Sequence, residues 1–269
     1  MPSLTHVLPL ADAGVSAAES VLLVLVSLVG GIGITTVGPG GVLVTIALFA
    51  LTDLSPAEVA GTAIVTHIGT GLVGTVAFVR SGQLRQPETR RLAIVLSCAA
   101  LVFTPIGVAI NSRVSTGQFG VLLAIFVAGI GLTVIARDVR GAHAPSPTAV
   151  PRHETTRQAA LGSGVAAISG LFGVGGPMLA VPALVIAGYP MLASLAAAQA
   201  QSVVVAGTGT MTYLAQGAVS WPLAILTGVP EMIGVWIGWR VAHAVPTRPL
   251  KWLLAGTLIA LGPVLLLLR

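Results

Sequence analysis

Long apolar runs alternate with short polar interruptions along this chain, and the runs are continuous rather than two-residue periodic. Val21–Gly33, Leu92–Ile110 and Leu250–Leu268 are of bilayer-spanning order, roughly 20 residues for a helix. Their continuity excludes the alternating signature of a membrane β-barrel. Each half of the chain reads as five helical segments: 17–34, 39–52, 57–79, 92–112 and 117–136, then 158–172, 177–187, 191–214, 222–239 and 250–268. The second segment of each half, with 11 to 14 residues, is too short to span. It therefore pairs with the segment before it as a hairpin that enters the membrane, breaks and returns. Each break is rich in glycine, GPGGV at 38–42 and GVGGP at 173–177.

The breaks match because the halves repeat. At an offset of 135, Gly38, Gly40 and Gly41 meet Gly173, Gly175 and Gly176, and Pro87 meets Pro222. After an eight-residue length difference, IGVAINSRV at 106–114 meets IGVWIGWRV at 233–241, with six identities in nine. The predicted organisation is a first membrane repeat over 1–137, a polar, Pro-containing cytoplasmic linker over 138–158 and a second repeat over 159–269.

Composition agrees with this picture. The 269 residues are 55% hydrophobic and only 8% charged, against about a quarter charged in a soluble domain, and the mean hydropathy is +0.99. A pI near 10.7 invites a nucleic-acid partner, but the basic residues lie in short loops between spans, where a positive-inside bias explains them. With the N-terminus and the Asp53 loop outside, 11 of the 13 basic residues fall inside, leaving Arg113 and Arg269 outside. Straight spans in place of the hairpins give at best nine against four. An odd number of segments per half inverts one half relative to the other. The expected fold is thus an all-α polytopic membrane protein of two inverted five-segment repeats, each opening with a Gly-broken hairpin. That is a transporter architecture.

Irregular backbone survives at membrane depth only where protein or a cavity covers it. The helices starting at Val42 and Pro177 bring their N-termini toward the midplane from opposite sides, and their free N–H groups and dipoles suit an anion. The alternative is that the glycines only allow close helix packing. Polar side chains at matching depth on the third segments add candidates. Thr62, Thr66 and His67 lie on 57–79, and Gln201 and Ser202 on 191–214, with Gln199 the weaker candidate of the two amides. Neutral donors bind an oxyanion yet release it. His67 is either a donor to a neighbouring carbonyl, or a donor to an anion and proton carrier. Metal is not expected, since no Cys, Asp or second His is spaced to help it, and no cofactor is expected.

The glycine motifs also carry a resemblance to the sulfite exporter TauE/SafE family, also called toluene-sulfonate uptake permeases. Gly173-Val174-Gly175-Gly176 followed by Val181-Pro182 resembles that family's turn and its Val-Pro, and Gly38-Pro39-Gly40-Gly41 resembles the turn without the proline. Gly61-Thr62-Ala63 stands where the family has Gly-Thr-Ser, and Ala196-Ala197-Ala198 in the second half. Gly238-Trp239-Arg240 is similar to its Gly-x-Arg, with Asn111 in place of the glycine before Arg113. The resemblance covers about residues 20 to 268. It implies export, or less often uptake, of sulfite or organosulfur anions across the cytoplasmic (inner) membrane.

The predicted activity is therefore transport of a small sulfur-containing anion by alternating access, the site formed by Gly38, Gly40, Gly41, Gly173, Gly175, Gly176, Thr62, Thr66, His67, Gln201 and Ser202. An anion channel and an uptake permease stay open as alternatives. An intramembrane hydrolase is disfavoured, because no Gly-x-Ser-x-Gly, His-Glu-x-x-His or intramembrane Asp pair is present. The expected partners are the anion and the lipid bilayer, and protons and a homodimer stay open. Glu231 lies about nine residues into the ninth segment, near the bilayer centre. A carboxyl there is a proton-coupling candidate or a neutral, hydrogen-bonded plug.

Overall fold

The computed structural model describes residues 15–36, 38–139, 154–244 and 247–267. Ten α-helices make up most of them, with no strand among the described residues. In the first half these are α1 (Ala17–Thr36), α2 (Val42–Leu51), α3 (Pro56–Arg80), α4 (Pro87–Asn111) and α5 (Thr116–Val139). The second half has α6 (Thr155–Phe172), α7 (Pro177–Ile186), α8 (Met191–Ala215), α9 (Trp221–Ala244) and α10 (Thr247–Leu267). The six helices α1, α3, α4, α5, α8 and α9 are long and apolar enough to cross a membrane. Large apolar side chains such as Ile125, Ile186 and Met211 are exposed on the outside, as a lipid-facing surface requires.

Local chemistry fixes the starts. Ser55 caps α3 in a reciprocal capping box with Glu58, and Pro56, Pro87 and Pro177 begin α3, α4 and α7. Gly173 ends α6 in the left-handed region, φ +68°, where a Cβ would also stand 2.1 Å from the Ala60 carbonyl oxygen. The helices outrun the sequence expectation at several ends. In particular α5 continues to Val139 and α6 begins at Thr155; residues 140–153 of the linker expected over 138–158 lie outside the described residues, as does most of the N-terminal segment.

The halves interlock. α1 packs along α9 and α4 along α6, while α3 lies against α8 and α5 against α10. At the first two contacts glycine meets a carbonyl. A Cβ on Gly234 of α9 would stand 2.1 Å from Leu28 O of α1, and one on Gly31 of α1 would stand 2.0 Å from Glu231 O of α9. The other pair repeats the pattern: a Cβ on Gly107 of α4 would stand 2.0 Å from Ala167 O, and one on Gly170 of α6 would stand 2.4 Å from Thr104 O. Leu28 and Ala167 are 139 residues apart, as are Gly31 and Gly170, whereas the glycines of the turns are 135 apart. The four-residue difference is one helical turn, an extra turn in α1 between its packing glycine and its break.

α2 is sealed in protein, while α7 buries one face, Met178, Ala180, Val181 and Leu184, and exposes Ile186 at its end. Val42, Val44, Leu48 and Phe49 of α2 are fully buried, with Phe49 and Phe119 of α5 in ring contact at 5.3 Å. Asn111 donates from Nδ2 to Leu171 O at 2.6 Å and to Pro56 O at 3.2 Å. It thereby ties the end of α4 to the start of α3 and the end of α6.

Candidate functional site

The two glycine turns come together on one side chain. A 3-10 turn, Pro39–Gly41, leads into α2, and Gly175-Gly176 leads into α7. Between them lies the buried imidazole of His67. A Cβ at Gly41 would stand 2.6 Å from His67 Cε1, and one at Gly175 would stand 3.5 Å from His67 Cγ. At Gly41 it is glycine that lets the backbone approach the ring, whereas at Gly175 a Cβ would find ordinary contact. The cavity at this point is lined by Gly38, Gly41, Gly175 and Pro177 from the turns, by His67 and Thr70 from α3, and by Gln199 and Ser202 from α8. A water molecule's centre can reach about 20 Å³ of it, room for about one water.

At Nδ1 His67 meets Glu231, whose Oε1 lies 3.5 Å away. Both residues are buried, and Nε2 of His67 and both carboxyl oxygens of Glu231 have no hydrogen-bond partner in the protein. One member comes from the first half of the chain and the other from the second. The Glu231 backbone is held by the Gly31 contact, so α1, α3 and α9 meet at this point.

The other residues singled out from the sequence divide into two groups. Gly38, Gly41, Gly175 and Ser202 line the cavity with His67. The rest turn elsewhere. Gly40 lies against α1, where a Cβ would be 2.1 Å from Gly30 O, Gly176 packs on the Ser202 backbone, and Gly173 packs on Ala60. Thr62 accepts a hydrogen bond from Ser220 N at 3.0 Å, pinning the entry to α9. Thr66 donates to Ala63 O of its own helix at 2.8 Å, the ordinary role of a membrane threonine, with its hydroxyl beside the Glu231 carboxyl. Gln201 donates from Nε2 to Gly162 O of α6 at 3.1 Å. Gln199 takes the place at the cavity, its side chain lying over Gly74. Spacing carries the signal for this: Gln199 and Ser202 are three apart and share a helix face, as do His67 and Thr70, whereas Gln201 and Ser202 are adjacent and diverge.

Six helices long and apolar enough to cross a membrane, with two shorter apolar helices meeting at a small cavity, give the build of a polytopic membrane protein. The family model described as sulfite exporter TauE/SafE matches residues 23–265. The chain belongs to that family. A curated protein of Bacillus subtilis (strain 168), "Probable membrane transporter protein YunE", is 25% identical over 264 residues, covering 90% of this chain and 95% of that one. No solved structure matches. The protein is accordingly a multi-pass membrane transporter of the TauE/SafE family.

Proposed function

We propose that the protein moves small sulfur-containing anions, such as sulfite or organosulfonates, across the cytoplasmic membrane by alternating access, with export the working direction. The observation that carries the reading is the convergence of both glycine turns on the His67 ring. The turns bring free backbone N–H groups and helix N-termini, and the side chains around them are neutral donors, an arrangement that favours an oxyanion without trapping it. The family description, sulfite exporter, supports both the anion class and the direction.

Alternating access needs two halves that can rock about a site. Support for inverted repeats over 1–137 and 159–269 comes from the matched glycine turns and the matched glycine–carbonyl contacts of α1–α9 and α4–α6. The charge bias of the loops supports an external N-terminus and a cytoplasmic linker. The cavity has room for about one water, so the glycine turns must part to admit a larger anion. Purified protein should therefore be screened with sulfite, taurine, methanesulfonate and sulfate. Binding at about 100-fold over Kd adds about 2.7 kcal/mol of stability, read as a rise in Tm. No rise with any of the four refutes the substrate class.

A further inference from the structure

A neutral imidazole has one N–H and one lone pair, and the partner at one nitrogen decides what the other nitrogen offers. His67 is placed for this choice to matter. Nδ1 faces the Glu231 carboxyl at 3.5 Å, while the Cε1–Nε2 edge faces Gly41 and Nε2 has no protein partner. Among the described residues no other ionisable side chain faces the pair. α2 and the glycine turns have none in sequence. Glu19 of α1, Glu58 and Arg80 of α3, Tyr213 of α8, and Arg240 of α9 stand at least nine residues along their helices from the contact, about 13 Å or more. The neighbouring hydroxyls of Thr66 and Thr70 donate to the carbonyls of Ala63 and His67.

Resting on the anion site argued above, we propose that His67 and Glu231 form a tautomer switch that ties binding of one anion to uptake of one proton. With Glu231 ionised, His67 donates Nδ1–H to the carboxylate, and Nε2 turns a lone pair toward the cavity, which repels an anion. A proton entering from the cavity binds Nε2, and the Nδ1 proton passes to the carboxylate. The acid then donates to Nδ1, and Nε2–H points at the cavity as a donor for the anion. One proton is gained, the pair goes from one negative charge to none, and no other bond is made or broken. Glu231 never touches the anion; it is a positioning residue acting through the ring. A neutral donor of this kind suits a monovalent oxyanion, a sulfonate or hydrogensulfite, better than a dianion.

Nitrogen-15 NMR of histidine-labelled, full-length protein in lipid reads the tautomer directly, with H67Q identifying the His67 signals. Between about pH 5 and about pH 9 the wild-type ring should pass from the Nε2–H to the Nδ1–H form. E231Q, whose amide can donate to Nδ1, should stay in the Nε2–H form throughout. Methanesulfonate keeps its single charge over this range, so its affinity for the wild type should fall about tenfold per pH unit above the transition and be independent of pH in E231Q. Anion binding with a ring that holds one tautomer, or with a wild-type pH profile in E231Q, overturns the switch alone. A switching ring with no binding of methanesulfonate or sulfite overturns the anion reading and the coupling built on it.

Discussion

Gly41 approaches His67 so closely that a Cβ there would stand 2.6 Å from Cε1, whereas at Gly175 the same atom would find ordinary contact with the ring at 3.5 Å. The two turns therefore differ in tolerance. Gly41→Ala should displace the imidazole and lower anion affinity at least about tenfold, the equivalent of about 1.4 kcal/mol. Gly175→Ala should change it little. Equal losses from the two, measured by calorimetric titration with methanesulfonate, would mean that the ring position does not set affinity.

The glycine–carbonyl contacts between helices give a second, structural prediction. Gly234→Val and Gly107→Val would drive side chains into Leu28 O and Ala167 O, backbone atoms that can yield only if the helices part. Each should destabilise the protein by roughly 1–3 kcal/mol, seen as a lower Tm and poor recovery from the membrane. Gly207→Val, at a glycine with nothing within 4 Å, should behave like wild type.

The two glutamines of α8 should separate function from stability. Gln199→Ala removes an amide from the cavity lining and should weaken anion binding at unchanged Tm. Gln201→Ala removes the hydrogen bond to Gly162 O and should cost about 1 kcal/mol of stability at unchanged affinity. The reverse pattern would return Gln201 to the site.

Thr62 makes a related case. Its Oγ1 accepts the Ser220 N–H at the start of α9, so Thr62→Val leaves that donor unpaired and should lower stability by about 1–3 kcal/mol. Anion affinity should hold, and a selective loss of affinity in titrations would place Thr62 in the site instead.

Hydropathy and glycine punctuation carried the ten helices to within a few residues of their ends, because continuous apolar runs and Pro or Gly at the termini are local signals. The convergence of the turns was legible in part: matching GPGGV and GVGGP implied equivalent breaks, and the repeat put His67 and Ser202 at matching depth on α3 and α8. What the sequence hid is what depends on helix rotation and on packing between halves. That α1 carries an extra turn follows from the α1–α9 and α4–α6 contacts, whereas the choice of Gln199 over Gln201 was open to spacing, because Gln199 shares a helix face with Ser202. The meeting of His67 with Glu231, 164 positions apart, is a tertiary fact, and no local pattern encodes it.

Uptake of [35S]sulfite into proteoliposomes tests the central claim most directly, with wild type, Gly41→Leu and Gly207→Val compared at equal reconstituted amounts. A sulfite carrier centred on the two glycine turns should give saturable flux below about a thousand anions per second per protein, as millisecond domain motions impose. Gly41→Leu should abolish it and Gly207→Val should not. Flux no greater than in protein-free vesicles, or undiminished in Gly41→Leu, would contradict the account.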